Sequence, residues 1–168
     1  MDQVAGQDGL DHPRFLRRSF EVARAARAAG HHPFGAILVG PDGVVLMEQG
    51  NATGAGRDMT AHAERVLMTR ASRAHPPAVL AGCTMYTSAE PCAMCAGAAY
   101  WAGLGRIVYG LAERDLKLLT GDHHENPTLD LPCRTVLAAG QRRIEVIGPL
   151  LVDEAMALHE GFWSDPTG

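Results

Sequence analysis

The sequence predicts an α/β fold with helices packed on a mixed sheet of five strands. Three observations carry that expectation. Short apolar runs of strand length alternate with longer segments of helical periodicity. Two of those runs flank Gly40-Pro41-Asp42-Gly43, a turn sequence that closes hairpins. A strand, helix, strand succession between Cys83 and Tyr109 calls for a parallel pair with a right-handed crossover. With 168 residues, 46% of them hydrophobic, the chain is expected to be one domain, 1–168. A chain of this length buries roughly 70% of its unfolded surface, so its core needs neither disulfide nor metal.

The elements follow in order. From Pro13 to Ala29, Leu16, Phe20 and Ala23 recur at helical spacing and Gly30 stops the pattern. Arg17, Arg18, Arg24 and Arg27 fill its other faces and read as a solvated surface. Strands Phe34 to Val39 and Val44 to Glu48 form an antiparallel hairpin, and Gly50 to Asp58 reads as a loop. Thr60 is the expected N-cap of a second helix that His75-Pro76-Pro77 stops. Cys83 to Thr87 reads as strand, Cys92 to Ala102 as a small-residue helix, and Arg106 to Tyr109 as strand. Gly110 to Gln141 reads mostly as loop, with a helical turn at Leu116 to Leu119. Ile144 to Ile147 closes the sheet and Asp153 to Phe162 forms a last helix.

Charge and composition narrow the function. The balance of 15 basic against 19 acidic residues, net −4, draws no polyanion, so nucleic acid is the less favoured partner. No run of about 18 apolar residues occurs, and Met1 to Asp8 lacks a basic stretch followed by an apolar one. No membrane association, a reducing cytoplasmic setting and four free or metal-bound cysteines are expected. Cys83 and Cys133 read as small core or loop residues.

Two fragments carry chemistry when taken together. Thr60-Ala61-His62-Ala63-Glu64 heads one helix and Glu90-Pro91-Cys92-Ala93-Met94-Cys95 heads another. Alone, the histidine reads as structural and the Cys-x-x-Cys as half a zinc ribbon, a redox pair or two buried thiols. Combined, His62, Cys92 and Cys95 supply the three ligands of a catalytic zinc. The fourth tetrahedral position is then left for water or hydroxide. Glu64, two residues after His62, reads as the proton shuttle.

Those fragments, with Pro33-Phe34-Gly35-Ala36, Asn51 and Tyr86-Thr87-Ser88 through Gly97-Ala98, resemble the cytidine deaminase-like superfamily from about Pro33 to Tyr109. Within it they resemble the branch of bacterial guanine deaminases and tRNA adenosine deaminases. The resemblance implies a three-layer α/β/α sandwich, one zinc per chain and a homodimer. It also implies hydrolysis of an exocyclic amine on a nucleobase or related heterocycle, with release of ammonia. Tyr100-Trp101-Ala102 and the single lysine, Lys117, point to guanine or a related purine or triazine base, with a nucleoside also open. A tRNA adenosine deaminase acting on the anticodon loop is the alternative, and a structural zinc or thiol-redox module a third reading. By resemblance Asn51 hydrogen-bonds the base, and a turn asparagine is its plainer account. Ala63 in the first turn, Phe34 and Trp101 are further expected contacts. Asp122, with Glu125 as rival, occupies the place of the acidic residue that guanine deaminases use to read substrate; a solvated loop acid is the alternative for each.

Overall fold

The computed structural model describes residues 9–164, so the reading of Met1 to Asp8 lies outside the described residues. Helix α1 (His12–Ala28) begins at Asp11, whose side chain accepts the Arg14 backbone N–H at 3.0 Å. The hairpin is β1 (Gly35–Val39) and β2 (Val45–Gly50), followed by a single turn, α2 (Thr53–Gly56). Next come α3 (Ala63–Ala74), the short α4 (Pro77–Leu80), β3 (Thr84–Ala89), α5 (Ala93–Ala102) and β4 (Arg106–Leu111). The chain then forms α6 (Glu113–Thr120), α7 (Cys133–Ala138), β5 (Glu145–Ile147) and α8 (Val152–Ala157).

The sheet order is β2-β1-β3-β4-β5. β1 runs antiparallel to β2 and β3, while β3, β4 and β5 are mutually parallel, as the crossover requires. Alternation along β1 divides the core. Ala36 and Leu38 face Leu67, Met68, Ala96 and Ala99 of α3 and α5. Ile37 and Val39 face Leu16, Phe20 and Ala23 of α1 and Ala155 of α8. The result is a three-layer α/β/α sandwich. Gly35 permits the close approach of α1, because a Cβ there would meet the backbone N of Ala23 at 2.5 Å. No helix among the described residues is long and apolar enough to cross a membrane.

Several boundaries differ from the sequence reading. Thr60 is not the cap of α3: its hydroxyl donates to Asp58 at 2.6 Å, and His62 takes the N-cap position without a capping hydrogen bond. The imidazole is thereby free to face the site. The stretch 110–141 holds more than the single helical turn expected: it carries the end of β4, then α6 and α7. Neither starts with a capping side chain of its own; Glu90 supplies both caps, its Oε2 accepting from Glu113 N at 2.9 Å and its Oε1 from Cys133 N at 2.8 Å. Cys133 is buried at the start of α7. The last helix ends at Ala157, with turns beyond it. The arginines of α1 are largely paired: Arg17 with Glu154, Arg18 with Glu48 and Glu21, and Arg27 with the carbonyls of Leu158 and Glu160.

Candidate active site

Two helix N-termini converge on one point. His62 is the N-cap of α3 and Cys92 the N-cap of α5. Cys95 sits one turn into α5, so both sulfurs lie on the side facing α3. The Sγ atoms of Cys92 and Cys95 each lie 3.7 Å from His62 Nδ1. The three donor atoms fall within 4.8 Å of one another, and among the described residues they are the only such group of three or more metal-binding side chains. A tetrahedral zinc with Zn–S of about 2.3 Å and Zn–N of about 2.05 Å sets nitrogen and sulfur about 3.6 Å apart. The donor set fits zinc in type and spacing.

The electrostatics agree. The hydrogen bond from Cys95, and after burial opposes it that from His62, lower Cys92 to about 4. The same bond to Cys92, together with burial, raises Cys95 well above the ordinary thiol range. One thiolate thus forms readily and repels a second; a divalent cation between them removes that repulsion. The positive ends of α3 and α5 act in the same direction. The hydrogen bond with Cys92 raises His62.

Glu64 is 6% exposed. Its Oε1 accepts from Thr87 Oγ1 at 3.1 Å and its Oε2 lies 3.8 Å from Cys95 Sγ. Burial raises its pKa, the condition under which a carboxyl both takes and gives a proton near neutral pH. These groups open onto a cavity of about 60 Å³ whose walls include Asn51, His62, Glu64, Cys92, Phe34 and Glu113. Its wall also includes His32 and Glu125, paired at 3.1 Å, with His32 set edge-on to Phe162 and Trp163.

Residues 10–111 match the family model for the cytidine and deoxycytidylate deaminase zinc-binding region. The "Probable cytosine deaminase" of Schizosaccharomyces pombe is 43% identical over 152 residues, 89% of this chain and 90% of that protein. The chain belongs to the cytidine and deoxycytidylate deaminase family. It is therefore a hydrolytic deaminase with a zinc-binding region. Among solved structures, guanine deaminase from Nitrosomonas europaea superposes with a TM-score of 0.71 at 28% identity, covering 94% of this chain and 85% of that one. A crystal structure in complex with 8-azaguanine gives a TM-score of 0.72 at 29% identity, covering 93% and 84%.

The remaining sequence expectations divide within this deaminase. Phe34, Asn51 and Glu125 line the cavity with Glu64, His62 and Cys92. Trp101 does not: it is 84% exposed on the outer face of α5. The cause is the apolar surround of that helix, whose pattern does not distinguish the inward Ala99 from the outward Trp101. Asp122 also lies outside, exposed on a shallow surface with Lys117 and Leu118. Glu125, three residues on, is also exposed, but its carboxyl pairs with His32 at 3.1 Å on the cavity lining. The Ala63 side chain is packed in the core beside Leu67 and not on the cavity wall. Asn51 is more restricted than an open amide, because its Oδ1 accepts from Thr53 Oγ1 at 2.9 Å and Thr53 N at 3.3 Å. What remains for a ligand is the Nδ2 donor pair. Sequence reading missed Glu90, Glu113, Thr87 and His32. For the two glutamates the one available signal is an acid next to a strand end, which surface loops also carry.

Proposed function

We propose that this deaminase hydrolyses the exocyclic amine of a free nucleobase and releases ammonia. One observation carries the reading: the Asn51 amide, the Glu64 carboxyl, His62 and Cys92 all border a single cavity of about 60 Å³, with Cys95 buried behind them beside His62. Such a volume holds about four to six waters, which suits a heterocycle without ribose. The His32–Glu125 pair on the cavity wall supports the same reading and weighs against an anticodon loop.

Held by His62, Cys92 and Cys95, zinc would lower the pKa of a bound water to about 7. Glu64 then takes the proton of the attacking water and passes it to a ring nitrogen. The carbon–oxygen bond forms as this happens. Glu64 next takes the proton of the new C–OH group and passes it to the amine, the carbon–nitrogen bond breaks, the carbonyl forms, and ammonia leaves. Thr87 holds Oε1, so the Oε2 oxygen is the one available for transfer. Asn51 Nδ2 donates to a carbonyl or ring acceptor of the base and sets its orientation.

Within this class cytosine stands first. The relative of that name matches over nine-tenths of both chains, beyond the shared motifs and into the region past Leu111. Guanine is the second reading, supported by the likeness to the Nitrosomonas europaea guanine deaminase and to the complex with 8-azaguanine. A homodimer and a cytoplasmic setting belong to the same proposal, and the exposed Trp101 supplies an apolar contact for a second subunit. Ammonia release by zinc-loaded protein from cytosine, guanine, cytidine and guanosine tests the reading. Turnover of a base above its nucleoside supports it, and preference for either nucleoside contradicts it.

A further inference from the structure

Glu113 is the first residue of α6 and is 6% exposed. Its backbone N–H is fixed by Glu90, while its carboxyl makes no hydrogen bond or ion pair among the described residues. That carboxyl forms part of the wall of the cavity that holds Asn51 and Glu64. With no protein partner, that carboxyl turns only to the solvent of the cavity, and its burial to 6% exposure costs it part of its hydration. Such a group is retained where a ligand completes it.

Resting on the cavity being the base pocket, the geometry points to Glu113 as a specificity-determining residue that accepts a hydrogen bond from an N–H on the edge of the bound heterocycle. Asn51 offers donors and Glu113 an acceptor, so the pair reads a base that presents a carbonyl or ring nitrogen together with an N–H. Free nucleobases carry that combination. The competing account is an acid placed in the first turn of α6 to complement the helix dipole. The two accounts differ in what removal does: a dipole partner supports folding and leaves affinity alone, whereas an unpartnered ligand contact does the reverse.

The test uses the zinc-loaded full chain and its Glu113→Ala and Glu113→Gln variants, with zinc content, thermal melting, calorimetric binding of 8-azaguanine, and KM and kcat on cytosine and guanine. Glu113→Ala is expected to keep zinc, to melt no lower than wild type, and to lose affinity roughly ten- to a hundredfold, expressed in Kd and KM more than in kcat. Glu113→Gln, which keeps one acceptor oxygen, is expected to recover part of that loss. Unchanged affinity in Glu113→Ala, or loss of zinc from it, overturns the assignment. Wild-type binding with equal binding by the variant removes the role of Glu113 alone. Failure of the wild type to bind or turn over any of these bases removes the nucleobase reading along with it.

Discussion

Glu90 caps the helix that begins at Glu113, its Oε2 accepting the Glu113 backbone N–H at 2.9 Å across 23 residues of sequence. The other oxygen accepts from Cys133 N at 2.8 Å. Glu90 stands two residues before Cys92. A single buried side chain therefore ties the segment carrying Cys92 and Cys95 to the starts of α6 and α7.

Glu90→Gln leaves one oxygen to accept and turns an NH2 toward the second backbone N–H. A loss of about 1–3 kcal/mol in folding free energy is expected. Urea unfolding at neutral pH measures it, and an unchanged midpoint would show that water replaces the caps.

His159 gives a pH dependence of defined sign. Burial, and then the charge of Arg27, lower it to about 4. A histidine with a depressed folded-state pKa binds its proton in the unfolded chain first. Its contribution is complete above the unfolded value of about 6.5 and declines as pH falls toward 4, by about 1.4 kcal/mol per unit. Glu113, raised to about 8 chiefly by burial, acts in the opposite sense, stabilising at low pH and losing that contribution as pH rises. The difference between wild type and His159→Gln isolates the histidine. Unfolding at pH 7 and pH 5 should show wild type losing more stability on acidification than the variant.

Metal removal separates chemistry from folding. The apolar cluster under the site, with Leu67, Met68, Ala96, Ala99 and Ile107, does not depend on a cation. Chelation is expected to abolish ammonia release and lower the melting temperature while the circular dichroism at 25 °C keeps its α/β shape. Added zinc restores activity to one equivalent per chain. Cys95→Ala should bind no zinc at all under the same conditions.

Asn51→Asp exchanges the Nδ2 donors for an acceptor while Thr53 still has an oxygen to meet. An increase in KM of roughly ten- to a hundredfold with zinc content unchanged is expected from steady-state kinetics.

The sheet was legible in the sequence because its signals are local: the Gly40-Pro41-Asp42-Gly43 turn, the alternation in β1 and the small-residue crossover helix α5. The grouping of His62, Cys92 and Cys95 with Glu64 was legible because two short spacings carry it. α6 and α7 were not, since their caps come from Glu90, 23 and 43 residues earlier in the chain. Asp122 and Glu125 share one irregular loop, and only the partner His32, 93 residues from Glu125, separates the acid on the cavity lining from the one outside it. Trp101 beside Tyr100 shows the matching limit for a helix apolar on every side: Tyr100 Oη binds Gln141 N at 3.0 Å while its neighbour faces out.

The most direct test is ammonia release by zinc-loaded wild type and Glu64→Gln on cytosine, guanine and a tRNA anticodon stem-loop. The account predicts turnover of a free base by wild type and a fall of roughly a hundred- to ten-thousandfold in Glu64→Gln with zinc retained. Turnover of the stem-loop alone, or a Glu64→Gln protein as active as wild type, would contradict it.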